Sequence, residues 1–339
     1  MAARRYPHRL GEDRMNVAII GCGVMGQLHA QMAANCGLRI TVCADAVKAR
    51  ASALAKTHGA VAVTDIEKAL VRKDVDIVAL TSPTPTHAKL IVAAAKAGKA
   101  IFCEKPITRT VAEGRTALTA VQKAGVPLFV GHVVRYFQEF EALRLQAQSG
   151  VIGHVGFIKT FRGGMCPVGS AGWFRDFGKS GGAVLDLLIH DFDWIRYAFG
   201  DIERVFCQNL MRERPTIMDY AMVTLTLKSG AIAQTIGSWA HPEGFRVKAE
   251  LCGADGMLTY DSADAPIAVM PRNHGKNSSN AIVPSSPVDK SPYQLEWEDF
   301  IAHIGGHAPA RVTPEDALAA LHIAECALKS AKTGAPVTV

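Results

Sequence analysis

Asn16–Gly26, NVAIIGCGVMG, is the stretch whose reading decides the fold. It opens with a short apolar run rich in β-branched side chains, which marks a buried strand. A turn of the form G-x-G-x-x-G follows, from Gly21 to Gly26, and leads into the helix-like LHAQMAANC. Strand, glycine turn and helix in that order are the context a dinucleotide-binding turn requires. Each glycine has its own reason. Gly21 permits the tight turn, Gly23 lets a pyrophosphate approach the backbone, and Gly26 lets helix and strand pack closely. The first helical turn, with Val24 and Met25, presents free N–H groups to the phosphates.

Outward from this stretch the same alternation repeats. LRITVCAD is a second strand ending in Asp45, and VKARASALAKTHG is a helix with glycine at its end. VDIVALTS, KAIFCEKP and VPLFVGHVV read as further strands, with the helices AKLIVAAAKAG and VAEGRTALTAVQKAG between them. Strands alternating with helices imply βαβ units and a parallel sheet covered on both faces. Asp45 stands where a carboxylate accepts from the ribose hydroxyls of NAD and repels the extra phosphate of NADP. An acidic turn residue or helix cap is the plainer alternative, and the nearby Lys48 and Arg50 leave NADP open as well.

Ligands of such sheets bind outside the carboxyl ends of the strands, and two more strand ends collect polar groups there. The first is Thr81-Ser82-Pro83-Thr84-Pro85-Thr86-His87, in which Ser82, Pro83 and His87 are candidate cofactor contacts. Helix capping by Ser or Thr is the competing reading. The second is Phe102-Cys103-Glu104-Lys105-Pro106, which places Glu104 and Lys105 at the ligand edge. A partly desolvated lysine can polarise a substrate hydroxyl; a solvated lysine paired with Glu104 fits the motif equally well.

Near residue 135 the pattern changes. Ala142–Gln148 reads as a helix, and the strands that follow (AMVTLTLKSG, AIAQTIGSWA, RVKAELCG, GMLTYDS) alternate residue by residue. Such strands bury one face of a sheet, and turns such as KSGA suggest antiparallel meanders. Residues 271–292 read as a loop, and Tyr293–Ile304 and Pro314–Lys332 as closing helices. A chain of 339 residues suits two domains, expected at 15–134 and 135–339. Residues 1–14, with four arginines, read as a mobile extension or a product of start-codon choice. The net charge of +6 includes no long basic run, which fits anionic small molecules at least as well as nucleic acid. Eight scattered cysteines without C-x-x-C spacing suggest reduced thiols and a cytoplasmic protein. No apolar run reaches membrane-spanning length and no secretory h-region follows the N-terminal arginines.

Gly181–Trp194, GGAVLDLLIHDFDW, carries four ionisable groups in an apolar segment. Read as a glycine turn and a continuous helix, it puts Asp186 and His190 at i and i+4 on one face. A neutral imidazole there can accept a proton, and a carboxylate one turn away can orient it or bind a substrate hydroxyl. The alternatives are a satisfied core histidine, a solvated face for Asp191 and Asp193, or a metal site, for which no further ligand cluster is seen.

Taken together, VAIIGCGVMG, Asp45, TSPTPTH, CEKP, GGAVLDLLIHDFDW and the tail RVTPEDALAALHIAECALKSAKTG resemble the glucose–fructose oxidoreductase and inositol dehydrogenase family. The resemblance implies a Rossmann domain followed by an α/β domain with a large, open, mostly antiparallel sheet that pairs face to face in homodimers or homotetramers. It implies that Lys105, Asp186 and His190 form the catalytic site, with a cis bond before Pro106. It implies NAD(P)-dependent oxidation of a sugar or cyclitol, with His190 as base and Lys105 stabilising the alkoxide. Arg135 and Trp173 are candidate substrate contacts, as are Tyr136, Arg162 and His241. A non-catalytic NAD-binding regulator and an NAD-dependent glycosidase are the competing function classes.

Overall fold

The computed structural model describes residues 14–167, 169–212, 218–242, 244–264 and 290–339. The expected N-terminal extension and nearly all of the expected 271–292 loop lie outside them. The chain divides into two compact units, Met1–Tyr136 with Ser285–Leu318, and Phe137–Pro284 with Ala319–Val339. Among the described residues no helix is long and apolar enough to cross a membrane. All eight cysteines are free thiols.

The first unit is a parallel six-stranded sheet made of β1 (Asn16–Ile20), β2 (Arg39–Ala44), β3 (Val61–Val63), β4 (Ile77–Leu80), β5 (Ala100–Glu104) and β6 (Leu128–Gly131). The strand order is β3-β2-β1-β4-β5-β6, so the sheet reverses direction of growth between β1 and β4. That is the switch point of a doubly wound Rossmann sheet. The connecting helices are α1 (Val24–Asn35), α2 (Lys48–His58), the short α3 (Ile66–Leu70), α4 (His87–Lys96) and α5 (Val111–Ala124). β4, β5 and β6 are buried at every position, as apolar strands covered on both faces should be. α5 starts where its sequence says it should: Thr110 accepts from the Glu113 N–H while the Glu113 carboxylate accepts from the Thr110 N–H.

The segment Ser285–Leu318, which the sequence reading gives to the second domain, belongs to the first unit. The reason is the apolar stripe of the helix Pro292–Ile304. Its Trp297 ring stacks on Phe102 of β5, centroids 4.5 Å apart and planes 8° apart, and its Phe300 packs edge-on to the same ring. Each such aromatic buries enough area for about 2–3 kcal/mol.

The second unit is built on seven strands: β7 (Val155–Gly163), β8 (Ile202–Arg212), β9 (Met218–Leu227), β10 (Ile232–Ser238), β11 (Arg246–Gly253), β12 (Met257–Asp261) and β13 (Val337–Thr338). The order is β12-β11-β7-β10-β9-β8-β13, and every pairing is antiparallel except β10 with β7. The helices are α6 (Gln138–Gln148), α7 (Phe177–Ser180), α8 (Gly182–Asp186) and α9 (Ile189–Phe199). The two remaining α-helices among the described residues are α10 (Pro292–Ile304) and α11 (Pro314–Thr333). One sheet face is buried, through Ala221, Val223 and Leu225 of β9 and Ala249 and Leu251 of β11. The opposite face leaves Met222, Ile232 and Met257 at least 40% exposed, beside the half-buried Phe157, Phe161 and Ile236. On the buried side Arg162 of β7 makes two hydrogen bonds to Asp191 of α9, at 3.0 and 3.3 Å, and its guanidinium lies over the Phe140 ring.

Candidate active site

The three glycines after β1 have three different surroundings. Gly21 has φ +98°, and a Cβ there would stand 2.7–2.8 Å from the backbone of Thr81 and Ser82. A Cβ on Gly26 would overlap the Gly21 carbonyl oxygen, while one on Gly23 would meet nothing within 4 Å. The first and last are thus closed by the fold itself, and the middle one faces open space. No described side chain caps α1, so its first-turn N–H groups are left for something else. A pyrophosphate fits that arrangement.

Asp45 follows β2 directly and is buried. Its Oδ2 accepts the Cys22 N–H and its Oδ1 the Val47 N–H, each at 2.8 Å. The carboxylate is therefore fixed against the glycine loop, and each oxygen keeps a further lone pair for a diol. Thr81 donates to the Gly21 carbonyl at 2.7 Å, which ties the end of β4 to the same loop. Thr86 donates to the Pro83 carbonyl, so the 2.6 Å contact between the Ser82 and Thr86 hydroxyls has Ser82 as donor. His87, expected among the cofactor contacts, is buried, with Nε2 2.8 Å from the Ser82 carbonyl and Nδ1 2.8 Å from the Pro106 carbonyl. Burial pushes its pKa down, and a neutral ring can donate to only one of the two. Its ring bridges the loop after β4 to the loop after β5.

Lys105 directly follows β5 and is half-buried, and the Lys105–Pro106 peptide is cis. Glu104 is buried beneath it. One oxygen lies 2.7 Å from His29 Nε2 and the other accepts the Lys105 N–H at 3.0 Å. Burial opposes ionisation of Glu104, but its interactions with His29, and then with Lys105, outweigh it and hold the group below its usual value. Its carboxylate is thus engaged inside the protein.

In the second unit the expected continuous helix is broken. α8 ends at Asp186 and α9 begins at Ile189, and the His190 N–H reaches the Leu187 carbonyl instead of that of Asp186. The cause is packing: the Leu188 side chain lies where a Cβ on Gly237 of β10 would be, 2.7–3.1 Å away. Asp186 is buried and His190 half-buried, on either side of the break. Asp191 and Asp193 are not a solvated face; both are buried, and Asp191 is neutralised by Arg162.

Other expected substrate contacts are committed elsewhere. Arg135 is 2% exposed and donates to the Arg311 carbonyl and the Asp316 carboxylate, at 2.7 and 3.2 Å. It braces the returning segment, which removes it from the substrate contacts. Tyr136 likewise donates to Asp299 at 2.6 Å. Trp173 is half-buried against Phe174, ring centroids 4.0 Å apart. Two features escaped the sequence reading. One is Asp219, an acid at a buried position of an alternating strand, close enough to Asp186 to feel its charge. The other is His29 with Trp297 and Glu296, polar groups on the buried faces of α1 and α10. The parity of β9 and the stripe of α10 carried the signal in each case.

Residues 15–132 match the model of an oxidoreductase family with an NAD-binding Rossmann fold, and residues 146–339 match that family's C-terminal alpha/beta domain. The chain is 30% identical over 322 residues to an inositol 2-dehydrogenase of Rhizobium meliloti, covering 92% of this chain and 95% of that protein. It is 29% identical over 324 residues to a myo-inositol 2-dehydrogenase of Thermotoga maritima, covering 93% and 96%. A solved myo-inositol dehydrogenase of Corynebacterium glutamicum superposes with a TM-score of 0.79 at 27% identity, covering 96% of this chain and 99% of that one.

Proposed function

The chain belongs to the NAD-binding oxidoreductase family that these two domain models describe, and from that premise we propose that it is a polyol dehydrogenase acting on CH–OH groups. The substrate is a secondary alcohol of a cyclitol or sugar, or the corresponding ketone in reverse. The observation that carries the reading is the β5 end. Lys105 stands just past it, on a parallel sheet whose β1 and β2 ends hold the glycine loop and the doubly anchored Asp45.

When bound, the nicotinamide supplies the hydride acceptor. As the carbinol hydrogen departs with the C–H bonding pair, His190 would take the O–H proton and a C=O bond would form. Lys105 stabilises the negative charge that develops on the oxygen. Asp186 holds a neighbouring hydroxyl or orients His190. The first-turn N–H groups at Val24 and Met25 hold the pyrophosphate, Ser82 and Pro83 border the cofactor, and Asp45 selects NAD over NADP. The exposed apolar sheet face around Met222, Ile232 and Met257 is where copies of the chain pair into a dimer or tetramer. Similarity to inositol dehydrogenases supports the cyclitol class.

The test is NADH formation from NAD and a panel of cyclitols and sugars. Appearance of NADH with one of them supports the reading. Tight NAD binding without turnover of any polyol would indicate a regulator. Release of product from an activated glycoside with no net NADH would indicate a glycosidase.

A further inference from the structure

A buried hydrogen-bond chain runs from α10 to the backbone of Lys105. Trp297 donates its indole N–H to His29 Nδ1 at 3.1 Å. His29 Nε2 lies 2.7 Å from Glu104 Oε1, and Glu104 Oε2 accepts the Lys105 N–H at 3.0 Å. Trp297 and His29 are fully buried, and Glu104 nearly so. The chemistry of the end groups sets the direction. An indole N–H only donates, so Nδ1 must offer its lone pair; an ionised carboxylate only accepts, so the ring proton sits on Nε2. A second ring proton would face the indole N–H head-on. The stack of Trp297 on Phe102 keeps the indole from turning to another acceptor.

We propose that Trp297 and His29 are positioning residues for Lys105. The indole fixes the imidazole tautomer, the tautomer anchors the Glu104 carboxylate, and the carboxylate holds the main chain where the lysine begins. This gives the returning segment a task beyond filling the core. It rests on the reading of Lys105 as the group that meets the substrate oxygen.

A neighbouring acid makes the arrangement sensitive. Glu296, one residue before Trp297, is fully buried, and neither of its oxygens has a hydrogen-bond partner among the described residues. Burial, and then the charges of Glu104 and Asp299, push it well above the usual carboxyl range. Glu104 is thus the ionised acid of a buried pair, and the donors His29 and Lys105 decide that. The titratable groups around Glu104 are His29 from α1, His87 from α4, Cys103 and Lys105 from the β5 end, and Glu296 from α10.

The experiment compares wild type with Trp297→Phe, which keeps a stacking ring and deletes the donor. Nitrogen-15 NMR of the His29 ring in the cofactor-free protein is read first. Wild type should show the ring proton on Nε2 and a bare Nδ1. A wild-type ring protonated on Nδ1 overturns the proposal, and that arm needs neither turnover nor a folded variant. In Trp297→Phe the ring should lose its single tautomer. Turnover of the variant should fall about ten- to a hundredfold, with NAD affinity within about twofold. An unchanged tautomer in the variant would overturn the positioning role. Failure of wild type to oxidise any polyol would defeat the dehydrogenase reading and leave the tautomer result standing.

Discussion

The Asp219 carboxylate accepts the Ala183 N–H at 2.7 Å, and so ties the first turn of the helix ending at Asp186 to strand β9. Its other oxygen is buried and has no hydrogen-bond partner among the described residues. Burial, resisted by the Ala183 bond and aided by the negative Asp186, pushes the group from 3.8 up to about 6. The native state therefore holds this proton more tightly than the unfolded chain does. The stabilisation is complete below the unfolded value and is lost as pH rises through the folded one. The loss between pH 4 and 7 amounts to at most about 3 kcal/mol. Asp219→Asn should lack this slope, so urea unfolding at pH 4.5 and 7.5, read as the wild-type minus variant difference, should change between the two. A difference independent of pH would show that Asp219 is not a buried, perturbed acid.

Asp45, held by the Cys22 and Val47 N–H groups, is the residue proposed to select NAD over NADP. Asp45→Ala should raise KM for NAD and narrow the NAD-to-NADP ratio of kcat/KM by about tenfold or more. Steady-state kinetics with both cofactors decide it, and an unchanged ratio would remove Asp45 from cofactor selection.

The glycine loop permits a separation of stability from binding. Gly23→Ala adds a methyl group in open space and should leave the unfolding free energy within about 0.5 kcal/mol while weakening NAD binding. Gly26→Ala forces the methyl into the Gly21 carbonyl and should cost about 1–3 kcal/mol as well as binding. Chemical denaturation and NAD titration of both variants check this; equal stability losses would contradict it.

Arg162 and Asp191 form a buried pair, 5% and 0% exposed at their side chains. Arg162→Met strands a buried carboxylate and should cost about 3–5 kcal/mol. The double variant Arg162→Met, Asp191→Leu should regain most of that loss by the same argument. A double variant no more stable than the single one would contradict it, in a urea-denaturation cycle.

Much of the Rossmann unit was legible because a buried parallel strand leaves a continuous apolar run, as NVAII and VDIVAL do. The alternating strands of the second unit were legible for the converse reason. What the sequence hid depends on distant partners. The stripe of Tyr293–Ile304 is visible, but nothing local says that Trp297 will lie on Phe102. The break at Leu187–Leu188 has no glycine or proline to announce it; the fit of Leu188 against Gly237 makes it. Arg135 stands at a strand end where ligands gather, yet its partner Arg311 lies 176 residues on. Lys105 and His190 could be named from motif and position, while the groups that hold Glu104 and Ala183 in place could not.

The proposed reaction gives Lys105 and His190 each a role at the substrate hydroxyl. The direct measurement is kcat for polyol oxidation by Lys105→Ala and His190→Ala, alongside NAD affinity by titration. Each variant should turn over about 10²–10⁴-fold more slowly while binding NAD within about twofold of wild type. Near wild-type turnover in either variant would contradict the shared role.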